Sequence, residues 1–297
     1  MYLLGIDIGG TNLKVGLIKD KKIIDKIVVP TKKENVISQI EEIVDGLLSS
    51  HELTAKDIAR MGVGCPGIVV KGKVLNSANL SFQNCDLQKI LSKDLKIKTF
   101  VKNDADMATL GEYTLGAGKG AENIIMLTIG TGVGGGVILN GKLYEGNGAG
   151  EFGHVTLYKD GIKCNCGRLG CAEKYISAIA LSERAKKELE KTKSIIELKP
   201  EVRASDIEKA YIDGDLCAKK IIDDYCEDLS EYLLNICNIF RPDRILIGGG
   251  LSYAPKIIEN VAQLCKNKHF GYPNAPKTDI KIAKLGNDAG ILGVVAL

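Results

Sequence analysis

A cluster of cysteines marks the segment KCNCGRLGCAE, residues 163–173. Cys164, Cys166 and Cys171 leave a tetrahedral zinc site one ligand short, and His154 can supply the fourth ligand. Two other interpretations stay open at this point. The cysteines could form a redox pair, although such pairs usually have two residues between them, or they could be buried independently of one another. The segment therefore predicts a structural metal centre, a redox site or no common role.

Two short segments combine glycine with threonine, at residues 9–11 and 130–132. Glycine lets a backbone come close to an anion, and the N–H groups of such turns donate hydrogen bonds to phosphate. The sequence contains no Walker-type motif, and an apolar strand pattern follows Gly135 instead of a helix, which argues against a dinucleotide-binding fold. Ordinary hairpins with permissive glycines are the alternative interpretation.

Between these two turns, the pair Asn103-Asp104 follows a predicted strand that ends near Val101. A carboxylate at a strand end, beside a phosphate-binding turn, can accept the proton of a hydroxyl nucleophile during phosphoryl transfer. An Asn-Asp pair is equally typical of a helix N-cap, where a side-chain oxygen accepts backbone N–H bonds. Both roles stay open for Asp104 at this point.

The elements that carry the two turns are similar. In each case an apolar strand precedes the turn and a second apolar strand follows it, ending at a polar turn at residues 19–22 or 140–141. This repetition indicates two halves built on one supersecondary unit. Asp7 interrupts the first strand, where a buried carboxylate needs a partner. A third glycine cluster, residues 248–250, follows another strand, and a helix is predicted from Pro255.

Composition excludes several classes of function. The 297 residues include 40 basic and 37 acidic side chains, a net charge of +3 that is too weak for a nucleic-acid scaffold. The N-terminal stretch lacks the basic region of a signal peptide, and no apolar run approaches the ~18 residues of a membrane span. Nine cysteines without an export signal are typical of a reducing compartment, so we expect a cytoplasmic protein.

Seven segments, in order along nearly the whole chain, resemble motifs of the ROK family of bacterial sugar kinases and repressors, within the actin-like ATPase superfamily. They are DIGGTN from Asp7, GCPGIV from Gly64, NDAD from Asn103, TIGTGVGGG from Thr128, GEFGH from Gly150, CNCGRLGC from Cys164 and IGGGLS from Ile247. The resemblance implies an α/β fold of two actin-like (ribonuclease H-like) domains with a central cleft. It places a smaller N-terminal domain at 1–112 plus 283–297, and a larger C-terminal domain with the zinc loop at 113–282.

The resemblance also implies roles for individual residues. Asp104 resembles the catalytic base that activates the 6-hydroxyl of a sugar, and Asp7 resembles a residue that helps to hold Mg²⁺ through water. The positions that resemble ATP or phosphate contacts are Gly9, Gly10, Thr11, Thr131, Gly132, Gly249 and Gly250. The positions that resemble sugar contacts, besides Asp104, are Gly67, Asn79, Asn103, Glu151, His154 and Glu173, the last three near C1 and C2 of the ring.

The sequence departs from the family pattern at two places. Asp106 stands where the family more often has asparagine, which puts one helix-face contact in doubt. Ser81-Phe82 stand where the family often has a tryptophan, and this chain has none. The wall of the sugar pocket there is therefore not defined by the resemblance.

These observations predict a kinase that uses ATP and Mg²⁺ to phosphorylate a hexose at the 6-hydroxyl. Glucose is favoured because the segments EFGHVTL, CNCGRLGC and YISA resemble the glucokinase-like branch. A kinase for N-acetylglucosamine or N-acetylmannosamine is the alternative. A sugar-binding regulator without catalysis is a third hypothesis, but a repressor needs a helix-turn-helix ahead of the first strand, which here begins at Tyr2.

With the resemblance included, a structural zinc ion bound by His154, Cys164, Cys166 and Cys171 is favoured over the redox interpretation. Four protein ligands leave no open position for water, so this zinc would order the loop and aim Glu173 inward. The other imidazole nitrogen of His154 could then bond a sugar hydroxyl. The resemblance further implies a homodimer or homotetramer, with no nucleic acid or membrane as partner.

Overall fold

A computed structural model describes residues 1–77 and 80–297 of the chain. It contains two compact units. Unit one comprises Met1–Gly120, Gly136–Gly150 and Leu285–Leu297, and unit two comprises Ala121–Gly135 and Glu151–Lys284. The domain limits that the sequence predicts, after residues 112 and 282, stay a prediction.

The β-strands of the described chain are short, as expected for an α/β protein. They are β1 (Tyr2–Ile8), β2 (Asn12–Lys19), β3 (Lys22–Pro30), β4 (Ile58–Cys65), β5 (Ile68–Val70), β6 (Lys73–Asn76), β7 (Gln83–Cys85), β8 (Thr99–Asn103), β9 (Ile124–Ile129), β10 (Val133–Leu139), β11 (Lys142–Leu143), β12 (Arg244–Gly248) and β13 (Asp279–Ile282).

The α-helices lie between these strands and at the C-terminus. They are α1 (Val36–Ser50), α2 (Leu87–Asp94), α3 (Asp104–Leu115), α4 (Glu173–Ile176), α5 (Ala178–Leu189), α6 (Ala204–Ile212), α7 (Leu216–Phe240), α8 (Pro255–Cys265) and α9 (Ala289–Leu292). The helix predicted from Pro255 is therefore confirmed. None of the described helices is both long enough and apolar enough to cross a membrane.

Two five-stranded sheets have the same strand order, β3-β2-β1-β4-β8 in one and β11-β10-β9-β12-β13 in the other. In the first sheet β1, β2 and β3 are antiparallel neighbours, and β4 and β8 run parallel to β1. In the second, β12 runs parallel to both β9 and β13. The prediction of two halves built on one unit is confirmed, and each half places a glycine turn directly after its central strand.

Close packing against glycines holds the C-terminal segment on the first sheet, within unit one. A Cβ atom on Gly5 of β1 would overlap the carbonyl oxygen of Ile291, and one on Gly111 of α3 would overlap that of Ala289. A side chain at either position would push α9 away from its neighbours. This packing fixes α3, whose first turn carries the predicted catalytic base, against the sheet.

Candidate active site and metal centre

The strand β8 ends at Asn103, and helix α3 begins at Asp104. Asn103 Oδ1 accepts hydrogen bonds from the backbone N–H groups of Ala105 (2.8 Å) and Asp106 (3.3 Å), so Asn103 is the N-cap. Asp104 is the first helical residue, and its Oδ1 accepts a bond of 2.9 Å from Ala105 N–H. The positive end of the helix dipole favours an ionised carboxylate at this position. The capping role that the sequence left open thus belongs to Asn103.

The side-chain amide of Asn103 also binds the CPG segment. Its Nδ2 donates to the carbonyl oxygen of Gly67 at 3.0 Å. Gly67 has a φ of +106°, and a Cβ there would overlap the carbonyl oxygen of Asn76. The left-handed backbone at Gly67 therefore requires glycine, and it directs the Gly67 carbonyl toward Asn103. Asn79, which the sequence predicts as a further sugar contact, lies outside the described residues.

In unit one, the turn of residues 9–11 is held by Thr31. The Thr31 hydroxyl donates to the carbonyl oxygen of Gly9 at 2.7 Å, and Thr31 N–H donates to the carbonyl of Thr11 at 2.9 Å. Gly9 N–H donates to the carbonyl of Asn12 at 2.9 Å. Gly10 is half-buried and Thr11 is exposed. The turn is thus fixed at both ends, while its tip is accessible to a ligand.

Lys14 is the partner that the carboxylate of Asp7 requires. Its Nζ lies 2.8 Å from Asp7 Oδ2, and the two residues face each other across β1 and β2. The side chains retain 22% and 18% of their exposure, so both stay accessible at the end of the strand that leads into the Gly9 turn. Sequence reasoning missed Lys14. The available signal was a lysine among the apolar residues near the start of β2.

The second turn, residues 130–132, has an equivalent internal bond. Gly130 N–H donates to the carbonyl of Gly132 at 2.9 Å, and the carbonyl of Gly130 accepts from Ala178 N–H, at the start of α5, at 2.8 Å. Thr131 is exposed. A Cβ on Gly132 would lie 2.5 Å from Glu173 Oε2, so glycine is needed where the turn meets this carboxylate.

The third glycine segment lies at the same edge of the second sheet. Gly249 follows β12 with a φ of +75°, and a Cβ there would lie 2.6 Å from the carbonyl oxygen of Ile129. Gly249 and Gly250 are exposed. Because β9 and β12 are parallel neighbours, their carboxyl ends bring this segment and the Gly130 turn together, as is typical of ligand-binding crevices in α/β sheets.

Glu151, His154 and Glu173 are brought together beside the second turn. A 3₁₀ helix spans Phe152–His154, and His154 N–H donates to the carbonyl of Glu151 at 3.0 Å. A Cβ on Gly153 would lie 2.5 Å from the carbonyl oxygen of Val133 and 3.4 Å from Glu173 Cβ. The three side chains that the sequence predicts near C1 and C2 of a sugar are therefore carried on adjoining backbone within unit two.

His154, Cys164, Cys166 and Cys171 offer four ligand atoms that all lie within 4.8 Å of one another. Cys164 Sγ is 3.7 Å from His154 Nδ1, and Cys166 Sγ is 3.5 Å from Cys171 Sγ. Tetrahedral zinc with Zn–S bonds near 2.3 Å and a Zn–N bond near 2.0 Å requires separations of about 3.6–3.8 Å. The donor types and these two separations are compatible with that metal, and the three cysteines lie in one cluster with His154.

The environments of the cysteines differ. Burial raises the pKa of the Cys171 thiol to about 12, and hydrogen bonding between this thiol and the sulfur atoms of Cys166 and Cys164 adds to the effect. The backbone N–H of Arg168 lowers the pKa of exposed Cys166. A bound cation must therefore displace a proton that Cys171 holds firmly near neutral pH.

Tyrosine and arginine side chains connect the segment between His154 and Cys164 to helices α5 and α7 of unit two. The hydroxyl of Tyr158 donates to one carboxylate oxygen of Asp228 on α7, and Arg184 on α5 pairs with the other. The bond to Asp228 raises the pKa of Tyr158 to about 12. Tyr158 also packs on Tyr175, with ring centroids 4.6 Å apart. Tyr158 is thus held on α5 and α7 by a partly buried polar network.

Of the residues that depart from the family pattern, Ser81 is exposed, and Phe82 and Asp106 are internal. Phe82 is 7% exposed and belongs to the hydrophobic core of unit one. Asp106 is 5% exposed on α3, and its Oδ1 would lie 3.1 Å from a Cβ built on Gly136 of β10. These two side chains therefore serve packing inside unit one.

Comparison with known proteins gives consistent matches over the full length. The model of the ROK family matches residues 3–297. A glucokinase of Halalkalibacterium halodurans is 33% identical, over 98% of this chain and 93% of that protein. An N-acetylmannosamine kinase of Haemophilus influenzae is 29% identical, over 99% and 94%. The structure of a ROK family glucokinase from Streptomyces griseus, in complex with glucose and AMPPNP, superimposes with a TM-score of 0.83 at 28% identity, over 99% of this chain and 98% of that one.

Proposed function

The chain belongs to the ROK family, and on that basis we propose that it is a kinase that transfers the terminal phosphoryl group of ATP to the 6-hydroxyl of a hexose. The fold is the two-domain actin-like fold of the ROK kinases. The relatives described as glucokinases match the whole chain, and the S. griseus structure contains both a sugar and an ATP analogue. Glucose is the sugar that these likenesses favour.

The observation that carries the proposal is the position of Asp104. Asn103 is the N-cap of α3, and Asp104 is the first residue of the helix. The Asp104 carboxylate is therefore not needed as the cap. In the proposed reaction Asp104 accepts the proton of the sugar 6-hydroxyl as its oxygen bonds to the γ-phosphorus. The bond between that phosphorus and the β–γ bridging oxygen breaks, and ADP leaves with the electron pair.

We assign the phosphates of ATP to the two glycine turns. Backbone N–H groups and the hydroxyls of Thr11 and Thr131 would donate to the phosphate oxygens, as preorganised donors do in other phosphoryl-transfer sites. Asp7 would orient water around Mg²⁺, the ion that neutralises the charge of the phosphates. The ammonium group of Lys14 adds a positive charge to the same strand end. Gly249 and Gly250 would allow adenosine to approach the backbone.

The proposed zinc centre would have a structural role. His154 would hold the metal through one ring nitrogen, and its other ring nitrogen would then bond a sugar hydroxyl in a fixed tautomer. Glu173 follows Cys171 by two residues. A metal that orders the loop of residues 163–173 would therefore also position this carboxylate. The proximity of the four donor atoms, all within 4.8 Å of one another, supports this assignment.

A kinase for an N-acetylated amino sugar is the second candidate. The likeness to N-acetylmannosamine kinase, at 29% identity, supports it. It would use the same base and the same turns, and it would differ in the space next to C2 of the sugar. The higher identity to a glucokinase favours glucose.

A coupled assay of ADP release tests the function directly. We expect turnover with glucose above that with mannose, N-acetylglucosamine or N-acetylmannosamine. Preferential turnover of an N-acetylated sugar would replace glucose by the second candidate. Absence of ADP release with every sugar of the panel would contradict the kinase itself.

We further propose a cytoplasmic homodimer or homotetramer. The nine cysteines, all free in the structure, fit a reducing compartment. The oligomeric state rests on the family resemblance. Light scattering coupled to size exclusion tests it, and a monomeric mass at micromolar concentration would contradict it.

A further inference from the structure

A cavity of about 410 Å³ lies in unit two, between the carboxyl ends of α7 and α8 and the beginning of β13. It is at the opposite edge of the second sheet from the glycine turns, because those turns follow the carboxyl ends of β9 and β12. The five residues of β12 separate the two edges by roughly 16 Å. The cavity is therefore distinct from the proposed ATP and sugar contacts, and its volume suits a small metabolite.

The lining of this cavity carries charges of both signs. Lys266, His269 and Lys277 line it together with Glu259 and Asp279. Both carboxylates already have lysine partners outside the lining, Lys256 for Glu259 at 3.0 Å and Lys281 for Asp279 at 3.2 Å. Among the described residues, no ion pair includes Lys266 or Lys277. Two ammonium groups thus remain to attract an anion.

One buried nitrogen atom of a lining residue and one of a neighbouring residue have no hydrogen-bond partner. Within the described chain, these are His269 Nε2 and Arg241 Nη1. Arg241 is not part of the lining, but its Nη2 donates to the carbonyl oxygen of Phe270, the residue after His269, at 2.9 Å. A buried polar nitrogen without a partner is unfavourable, and an acceptor bound in the cavity would relieve this cost. Water can do so as well, which makes hydration the competing explanation.

Part of the cavity lining is apolar. Leu234 and Ile280 belong to it, with the small side chain of Ala262 between the charged positions of α8. A ligand that suits both kinds of lining has a group with several acceptor oxygens and a carbon body. We propose that this cavity binds a small phosphate monoester, with the phosphate at Lys266, Lys277 and His269 and the carbon body on Leu234 and Ile280.

Histidine NMR tests this proposal on the intact protein, because the chain has three histidines. The ring signals of His269 are identified with the variant His269→Gln, and those of His51 and His154 are internal references. Glycerol 3-phosphate and inorganic phosphate are the probes. We expect a saturable shift of the His269 signals with glycerol 3-phosphate at millimolar concentration, and weaker binding of inorganic phosphate, which has no carbon body.

Lysine variants provide the control. In Lys266→Met/Lys277→Met the dissociation constant should rise roughly tenfold or more, because two charged donors are lost. Lys187→Met, which removes an exposed lysine from α5, should bind as the wild type does. His269 signals that do not move with glycerol 3-phosphate would overturn the proposal in favour of hydration. An equal response of the double variant, or equal binding of the two probes, would overturn it as well.

Discussion

The carboxylate of Glu173 accepts a hydrogen bond from the backbone N–H of Val133, with Oε2 and N 3.1 Å apart. Glu173 lies two residues after Cys171 of the metal centre, and Val133 directly follows the turn of residues 130–132. One side chain thus joins the loop that the metal would order to a turn that we assign to phosphate. In the function that we propose, sugar binding and phosphate positioning would therefore depend on the same carboxylate.

Replacement of Glu173 should show this dual dependence. In Glu173→Gln the amide oxygen can still accept from Val133 N–H, so the turn stays in place and KM for the sugar rises while KM for ATP changes little. In Glu173→Ala both constants should rise, because the turn also loses its acceptor. Steady-state kinetics with each substrate varied separately measures the difference. Equal effects of the two variants on KM for ATP would contradict the role of the Val133 bond.

The ion pair between Asp7 and Lys14 gives a second prediction. We expect Lys14→Met to raise KM for ATP and to lower kcat, by roughly tenfold or more in kcat/KM, because a charge next to the phosphates is lost. Lys19→Met on the same strand is the control, since Lys19 is exposed and lies at the other end of β2. If both variants had the same kinetics as the wild type, Lys14 would have no part in phosphate binding.

A third prediction concerns Lys102 and Glu145, whose charged atoms are 2.7 Å apart. Lys102 directly precedes Asn103, and Glu145 lies in the loop that leads to Gly150, so the pair attaches this loop to β8, the strand that precedes the proposed base. Lys102→Glu should lower kcat/KM roughly three- to tenfold, the effect of losing an ion pair and creating a repulsion.

The charge-reversed double variant tests the same pair. Lys102→Glu/Glu145→Lys should recover most of the activity, because the attraction is restored. Reversal of the exposed pair Lys219 and Asp223 on α7 is the control for general effects of charge. Failure of the double variant to recover beyond the single one would contradict a role of the pair in positioning.

The metal centre gives a prediction that includes pH. One zinc per chain is expected by elemental analysis, and Cys164→Ser should lower both zinc content and thermal stability. Burial keeps the pKa of Cys171 near 12, above its usual value, so the apo protein holds this proton throughout the neutral range. Zinc must displace it, and zinc affinity should rise with pH and fall in acid. An affinity that is independent of pH between 6 and 8, or a fully active protein without metal, would contradict the assignment.

The sequence predicted the elements well because their signals are local. Apolar runs flanked by glycine identified β1, β2, β9 and β10, and the repetition identified the second sheet as a copy of the first. The tetrad of His154 and three cysteines followed from ligand chemistry and spacing. Each strand-and-turn pattern, and the ligand tetrad, is contained in a short stretch of chain. The repetition is a comparison of two such stretches.

Other features depend on contacts that no local pattern expresses. The choice between Asn103 and Asp104 as N-cap is decided by which side chain reaches the N–H groups of the first turn. The ion pair of Lys14 needs the register of β1 and β2, and the bond from Glu173 to Val133 joins residues 40 positions apart. Phe82 was considered at the sugar pocket by resemblance, and the structure places it in the core.

The central claim is that Asp104 is the base of a phosphoryl transfer to a hexose, and the turnover of Asp104→Asn with glucose and ATP tests it most directly. The amide is nearly isosteric and can still accept from Ala105 N–H, so the thermal unfolding temperature should stay close to that of the wild type. Asp45→Asn, an exposed change on α1, is the matched control. We predict that kcat of Asp104→Asn falls roughly 10²–10⁴-fold while the control is unchanged. A folded Asp104→Asn enzyme with kcat within a few-fold of the wild type would contradict the account.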